Sequence, residues 1–219
     1  MIDCHCHLPS SYKCILNLNE NDTSDSFYRQ LISFGIHPWH CGDETLCQKQ
    51  LQVLEQLVKQ NQIIAIGECG LDNKLTTNSI STQKKWFLKQ IELNQRYNLP
   101  VYIHCVNMVN EIILLKKKWI NQRWIYHGFN SSNEVAKKLI SMNCWLSFGR
   151  NVLNNNNIKI NNSLKIAFEN KRLLIETDND ETHFVDLQHI YNSIANRLNC
   201  SIDILINEVH DSLHQLQIL

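Results

Sequence analysis

Two histidines one residue apart, His5 and His7, sit in the opening run MIDCHCHLPS, interleaved with Cys4 and Cys6. Ligands packed this closely could be a zinc knuckle, a redox site, or part of a metal centre completed far along the chain. Strand geometry decides among these. In an extended strand, successive side chains alternate between faces. Asp3, His5 and His7 then share one face, and Ile2, Cys4 and Cys6 the other. A single tetrahedral site using both cysteines and both histidines would need both faces at once. The histidines are therefore the ligand candidates, and the cysteines belong to the core.

Further candidates follow short apolar runs. Glu68 closes IIAIGE, His104 closes LPVYIH, His127 closes RWIYH, and Glu176 and Asp178 close RLLIETD. One polar residue after an apolar run is commonly a turn or a helix cap. Several separate runs ending in His, Glu or Asp, together with a His-x-His, argue for convergence on one site.

The runs themselves are of strand length. They are Met1–Cys6, Lys13–Leu18, Leu31–Ile36, Ile63–Gly67, Val101–His104, Trp124–His127, Cys144–Phe148 and Leu173–Glu176. Short and almost continuously apolar, they read as buried parallel strands. Helical periodicity fills the gaps. Leu51, Leu54, Leu57 and Val58 mark one helix; Leu187, Ile190, Tyr191, Ile194 and Leu198 mark another; Ile202, Leu205, Ile206, Val209, Leu213 and Leu216 mark a third. Ser131 with Glu134 has the spacing of a capping box opening a helix through Ile140.

Strand–helix alternation implies right-handed βαβ units around a parallel sheet. Eight strands predict an α/β fold of the (β/α)8 TIM-barrel type, with a doubly wound open sheet as the alternative. The 219 residues fall short of the usual ~250 for that barrel. Only about 30 residues separate CHCH from GIHPW, so the first two helices are expected to be reduced to loops or single turns. The asparagine-rich stretch NVLNNNNIKINN, residues 151–162, is expected to be a surface loop.

Composition sets the outer bounds. The hydrophobic fraction of 43% fits one globular domain over residues 1–219 and argues against disorder. Lysine plus arginine and aspartate plus glutamate both total 21, so nonspecific wrapping of nucleic acid is disfavoured while a local contact is permitted. No apolar run is long enough to cross a bilayer, and no secretory leader pattern opens the chain. The expectation is a cytoplasmic protein whose nine cysteines are reduced. Neither a membrane nor an obligate protein partner is expected. The basic clusters Lys84–Lys85 and Lys116–Lys118 read as solvated helix faces.

At the level of motifs, DCHCH, GIHPW, GECGLD, LPVYIHC, YHGFNSS, LSFG and LLIETD fall in the order seen in the TatD family of metal-dependent hydrolases. The chain resembles a compact branch of that family over nearly its whole length. The resemblance implies a (β/α)8 barrel with a dinuclear divalent-metal centre and deoxyribonuclease activity, including 3′→5′ exonuclease action on single-stranded ends. It makes His5, His7 and Asp178 ligands of one ion and His104 and His127 ligands of the other, with Glu68 bridging. Asp178 and Glu68 are then also the catalytic carboxylates, and His37 in GIHPWH is a substrate contact. His40 could serve likewise or be a polar loop residue, and Asp72 in GLD is expected to be structural. Glu176 should point away from the ions or support them indirectly.

The chemistry has its own logic. Two ions roughly 3.5–4 Å apart can hold a hydroxide between them and grip a phosphate oxygen, and a bridging carboxylate suits that spacing. Imidazole-rich donor sets accept Mn²⁺ or Zn²⁺, whereas Mg²⁺ prefers oxygen, so occupancy by several ions is expected with Mg²⁺ or Mn²⁺ supporting activity. DNA is the expected substrate. Two departures touch the rim: Cys105 and Val106 follow His104 where relatives often carry x-Arg, and no proline follows Asp178. They keep alive a related hydrolase of an amide, lactone or phosphate ester. A metal-binding scaffold without turnover is the second alternative.

Overall fold

A computed structural model describes residues 1–18 and 31–219. Its strands are β1 (Ile2–Cys6), β2 (Lys13–Leu18), β3 (Leu31–Phe34), β4 (Ala65–Asp72), β5 (Val101–Val106), β6 (Trp124–Tyr126), β7 (Cys144–Phe148) and β8 (Leu173–Ile175). Its helices are α1 (Glu44–Lys59), α2 (Ile80–Asn94), α3 (Val109–Lys116), α4 (Asn133–Ile140), α5 (Ile158–Glu169), α6 (Leu187–Leu198) and α7 (Ile202–Gln215). The strands follow one another in sheet order β1 to β8. The chain after β8 bonds back to β1 through the Asp178 amide and the His5 carbonyl at 3.0 Å. That is the topology of a (β/α)8 barrel. The expected loss of the first helix holds, since residues 7–12 between β1 and β2 form no helix. The second expected reduction lies outside the described residues.

Backbone contacts group the chain into two compact units, residues 1–16 with 125–219, and residues 17–124. In the first, α6 and α7 show how an apolar stripe becomes a packed helix. Leu187, Ile190, Tyr191 and Ile194 are buried on α6, and Leu205, Val209 and Leu213 on α7. Each such side chain contributes roughly 1.5–3 kcal/mol on burial. Asp186 and Ser201 cap their first turns by accepting from the Gln188 and Ile204 amides. The Tyr191 hydroxyl donates to the Ile2 carbonyl at 2.9 Å and so ties α6 to β1.

In the second unit, two buried glutamines of α2 fix the ends of strands. Gln90 accepts from the Ile36 amide at 2.7 Å and donates to the Ile36 carbonyl at 3.2 Å. Gln83 does the same for Asp72, at 2.8 and 3.0 Å. β4 lies so close to β5 that a Cβ at Gly67 would stand 2.5 Å from the Tyr102 carbonyl oxygen, and one at Gly70 only 1.9 Å from that of His104. Both glycines also have positive φ, 124° and 151°, so backbone and space alike demand glycine.

Four expectations are corrected. β4 and β5 do not stop at Gly67 and His104; they continue, pairing Gly70 with His104 and Asp72 with Val106, because the glycines permit close approach. The cap of α4 is Ser132, not Ser131, its side chain accepting from the Val135 amide. Within 151–162, residues 158–162 belong to α5, because Ile160, Leu164 and Ala167 form a buried helical stripe. Lys116 is fully buried rather than solvated, and its ammonium is satisfied by the carbonyls of Trp119, Ile120 and Gln122.

Candidate metal centre

In the first unit, β1 carries His5, fully buried, with His7 just beyond the strand. Asp178 follows β8 in the left-handed region at φ 54°, a conformation aspartate tolerates better than most residues. Its Oδ1 lies 3.7 Å from His5 Nε2 and 3.5 Å from His7 Nε2. The His127 ring centroid is 4.8 Å from that of His5. Ligand atoms of His5, His127 and Asp178 all lie within 4.8 Å of one another.

Backbone interlocking sets this geometry. The His7 amide donates to the Asn179 carbonyl at 2.9 Å, and Arg150 donates to the Asp178 carbonyl at 2.6 Å. Asp3 is the buried clamp beneath. It accepts from the Thr177 amide at 2.9 Å, the Thr177 hydroxyl at 2.6 Å and the His5 amide at 3.3 Å. Burial raises its carboxyl pKa to about 7, against the lowering effect of the Thr177 bonds. Glu176 accepts from the Gly128 amide at 2.6 Å and stands 3.5 Å from His127 Nδ1.

In the second unit, Glu68 is 3% exposed on β4. Its amide is anchored on Asn17 Oδ1 at 2.9 Å, which also accepts from Ser33 Oγ at 3.0 Å. Around its carboxylate stand His37, with Nε2 3.7 Å from Oε2, and His104, with Nδ1 3.9 Å from Oε1. The two rings approach to 3.3 Å between His37 Nε2 and His104 Nδ1. The other ring nitrogen of His104 lies 3.4 Å from Asp72 Oδ2, which also accepts from Trp39 Nε1 at 3.1 Å. The bond to His104, then those from the Lys74 amide and Trp39, hold the Asp72 carboxyl down at about 2 despite burial. An Nε2–H given to Asp72 leaves the Nδ1 lone pair of His104 facing Glu68.

The geometry thus gathers His127 with His5 and Asp178, and adds His37 to Glu68 and His104. His40 lies on the short 3-10 turn Pro38–His40, its ring 6.1 Å from that of His37, outside both groups. Cys4 and Cys6 are buried. Sequence reasoning left Asp3, Arg150 and Asn17 without roles. Asp3 was signalled only by sharing a face with His5 and His7. His5, His127 and Asp178, and Glu68 with His104, suit a divalent cation: imidazoles and carboxylates presented from β1, β4, β5 and the segments just after β6 and β8, with carboxylates behind His104 and His127.

The class that fold and site define is a (β/α)8 barrel with clustered histidines and carboxylates suited to divalent cations. The sequence profile of the TatD-related DNase family matches residues 15–205, and the chain belongs to that family. It is 34% identical over 148 residues to the metal-dependent hydrolase YabD of Bacillus subtilis, covering 67% of this chain and 57% of the relative. It is 25% identical over 168 residues to the 3'-5' ssDNA/RNA exonuclease TatD of Escherichia coli K12, covering 74% of this chain and 64% of the relative. The matches thus span about 57–64% of the length of these relatives. The crystal structure of YJJV, a TatD homologue of Escherichia coli K12, superposes with a TM-score of 0.83 at 19% identity, covering 98% of this chain and 96% of that one. A TatD-family hydrolase from Entamoeba histolytica gives 0.79 at 18% identity, covering 98% and 97%. These two likenesses establish the fold.

Proposed function

We propose that this chain is a metal-dependent deoxyribonuclease that hydrolyses phosphodiester bonds in DNA, acting 3′→5′ on single-stranded ends. The observation that carries the reading is the buried Glu68 carboxylate flanked by His37 and His104, in a chain of this family. The cation-holding residues are His5, His7, Glu68, His104, His127 and Asp178, with Mg²⁺ or Mn²⁺ as the working ions. His37, at 3.7 Å from Glu68, serves the substrate phosphate: its Nδ1 accepts from the Trp39 amide, so its Nε2 carries the proton and can donate. When bound, such ions supply an activated water and offset charge building on the phosphoryl oxygens.

The chain's own groups do the remaining work. Asp178 is the base that takes a proton from the attacking water, since its carboxylate is partly exposed at 37% and its backbone is held on both sides by His5 and Arg150. Asp72 and Glu176 orient the rings of His104 and His127. The similarity to a named single-strand exonuclease supports the substrate class.

The test is hydrolysis of a 3′-labelled single-stranded oligonucleotide with Mn²⁺, for the wild type, Glu68→Ala and His104→Ala. Losses of at least a hundredfold in both variants are expected. Undiminished cleavage in both would assign the activity elsewhere.

A further inference from the structure

Trp39 stands out on the surface of the second unit. A large indole is normally drawn inward, yet this one is 59% exposed. It is also held firmly. Its amide donates to His37 Nδ1 at 3.2 Å, and its indole N–H donates to Asp72 Oδ2 at 3.1 Å. Its ring meets that of His37 edge to face, with centroids 4.9 Å apart. Pro38 opens the turn that carries it, and Asn78 donates to the Pro38 carbonyl at 3.0 Å. Backbone, ring edge and neighbouring ring are all engaged, so the exposure belongs to a fixed aromatic surface. Such a surface can bind a flat ligand while losing little side-chain entropy.

Its position names the ligand. Asp72 Oδ2, the atom that holds the indole, is 3.4 Å from His104 Nε2, and His104 and His37 flank Glu68. The indole therefore lies two hydrogen bonds from a proposed cation-holding ring. In a single-stranded nucleic acid, the flat group next to a phosphodiester is a nucleobase, and unpaired bases gain from stacking on aromatic side chains. We propose that Trp39 is the stacking platform for the base adjoining the scissile phosphodiester, and hence a specificity-determining residue. The identity of the cleaved bond rests on the function proposed above; the stacking itself is measured separately.

Two five-residue oligomers serve as probes, oligothymidylate and an abasic oligomer with the same phosphates. Each is titrated into the full chain with Ca²⁺ in place of Mn²⁺, following tryptophan fluorescence, and each is then turned over with Mn²⁺. The wild type is expected to prefer the base-containing oligomer at least tenfold in Kd and in kcat/KM, with quenched fluorescence. Trp39→Leu should reduce that preference below threefold and abolish most of the quench, chiefly through Kd and KM. Trp39→Phe, which keeps a ring face, should retain at least a third of the preference. Retention of the full preference by Trp39→Leu overturns the inference, even where hydrolysis still requires Glu68 and His104. Loss of preference in a chain that cleaves neither oligomer supports stacking and overturns the nuclease reading instead. Failure of the wild type to bind either oligomer overturns the inference.

Discussion

Asp3 illustrates how much one buried carboxylate can organise. Its two oxygens accept three hydrogen bonds, two from Thr177 and one from the His5 amide, joining positions 174 residues apart in the chain. Asp3→Ala would strand those donors in a buried setting, and an unsatisfied buried donor costs about 1–3 kcal/mol. We expect Asp3→Ala to lower unfolding free energy by roughly 2–4 kcal/mol in denaturant titration. Asp3→Asn keeps an acceptor for the amides and should cost less than half as much. Asp72 offers a second test, because it lies against the distal nitrogen of His104. Removing such a supporting carboxylate typically weakens metal affinity 10–100-fold. Asp72→Asn should therefore weaken Mn²⁺ binding by about that factor in calorimetric titration. An unchanged affinity would leave Asp72 with its bonds from the Lys74 amide and the Trp39 indole.

At the scale of elements, the decisive features are where strands may touch and where helices begin. Gly70 lets β4 lie against the His104 carbonyl, so Gly70→Ala must push β4 and β5 apart. A loss of roughly 4 kcal/mol or more, or failure to accumulate as soluble protein, is expected on expression and thermal melting. The start of α4 gives a finer discrimination. Ser132 caps the Val135 amide at 3.4 Å, whereas neighbouring Ser131 offers only its backbone carbonyl, to Ser163. Ser132→Ala should cost about 1 kcal/mol and Ser131→Ala close to nothing. Equal costs would contradict the assigned cap. These two serines also show why element boundaries were harder to read than element positions. Both fit the local pattern, and only the packed backbone selects one.

At the scale of the molecule, stability should carry a pH signature unrelated to the metal groups. Glu208 on α7 is buried, which raises its carboxyl pKa to about 7, with Lys171 and Arg172 opposing and Asp211 adding to the rise. The folded state then keeps a proton that the unfolded state releases near pH 4.5. Its stabilising contribution is full below that pH and is lost as pH climbs toward 7. Glu208→Gln should remove this component, flattening the stability profile between pH 4.5 and 7 and raising stability at pH 8 by about 1–2 kcal/mol. Thermal melts of both proteins across that range provide the check. A parallel pair of profiles would count against it.

The sequence by itself determined the positions of the eight strands and the residue types at their ends, because apolar runs and the two-residue pleat are local properties. It also separated His5 and His7 from Cys4 and Cys6, because the pleat assigns them to opposite faces. Only the tertiary structure decided which groups meet: His127 with His5 and Asp178, and His37 with Glu68 and His104. It alone buried Lys116 among three carbonyls, made Asp3 a clamp, and left Trp39 outside but fastened. The reason is physical. Alternation and periodicity record which face a side chain takes, whereas partners far along the chain are chosen by strand register and packing, which no single stretch of residues contains.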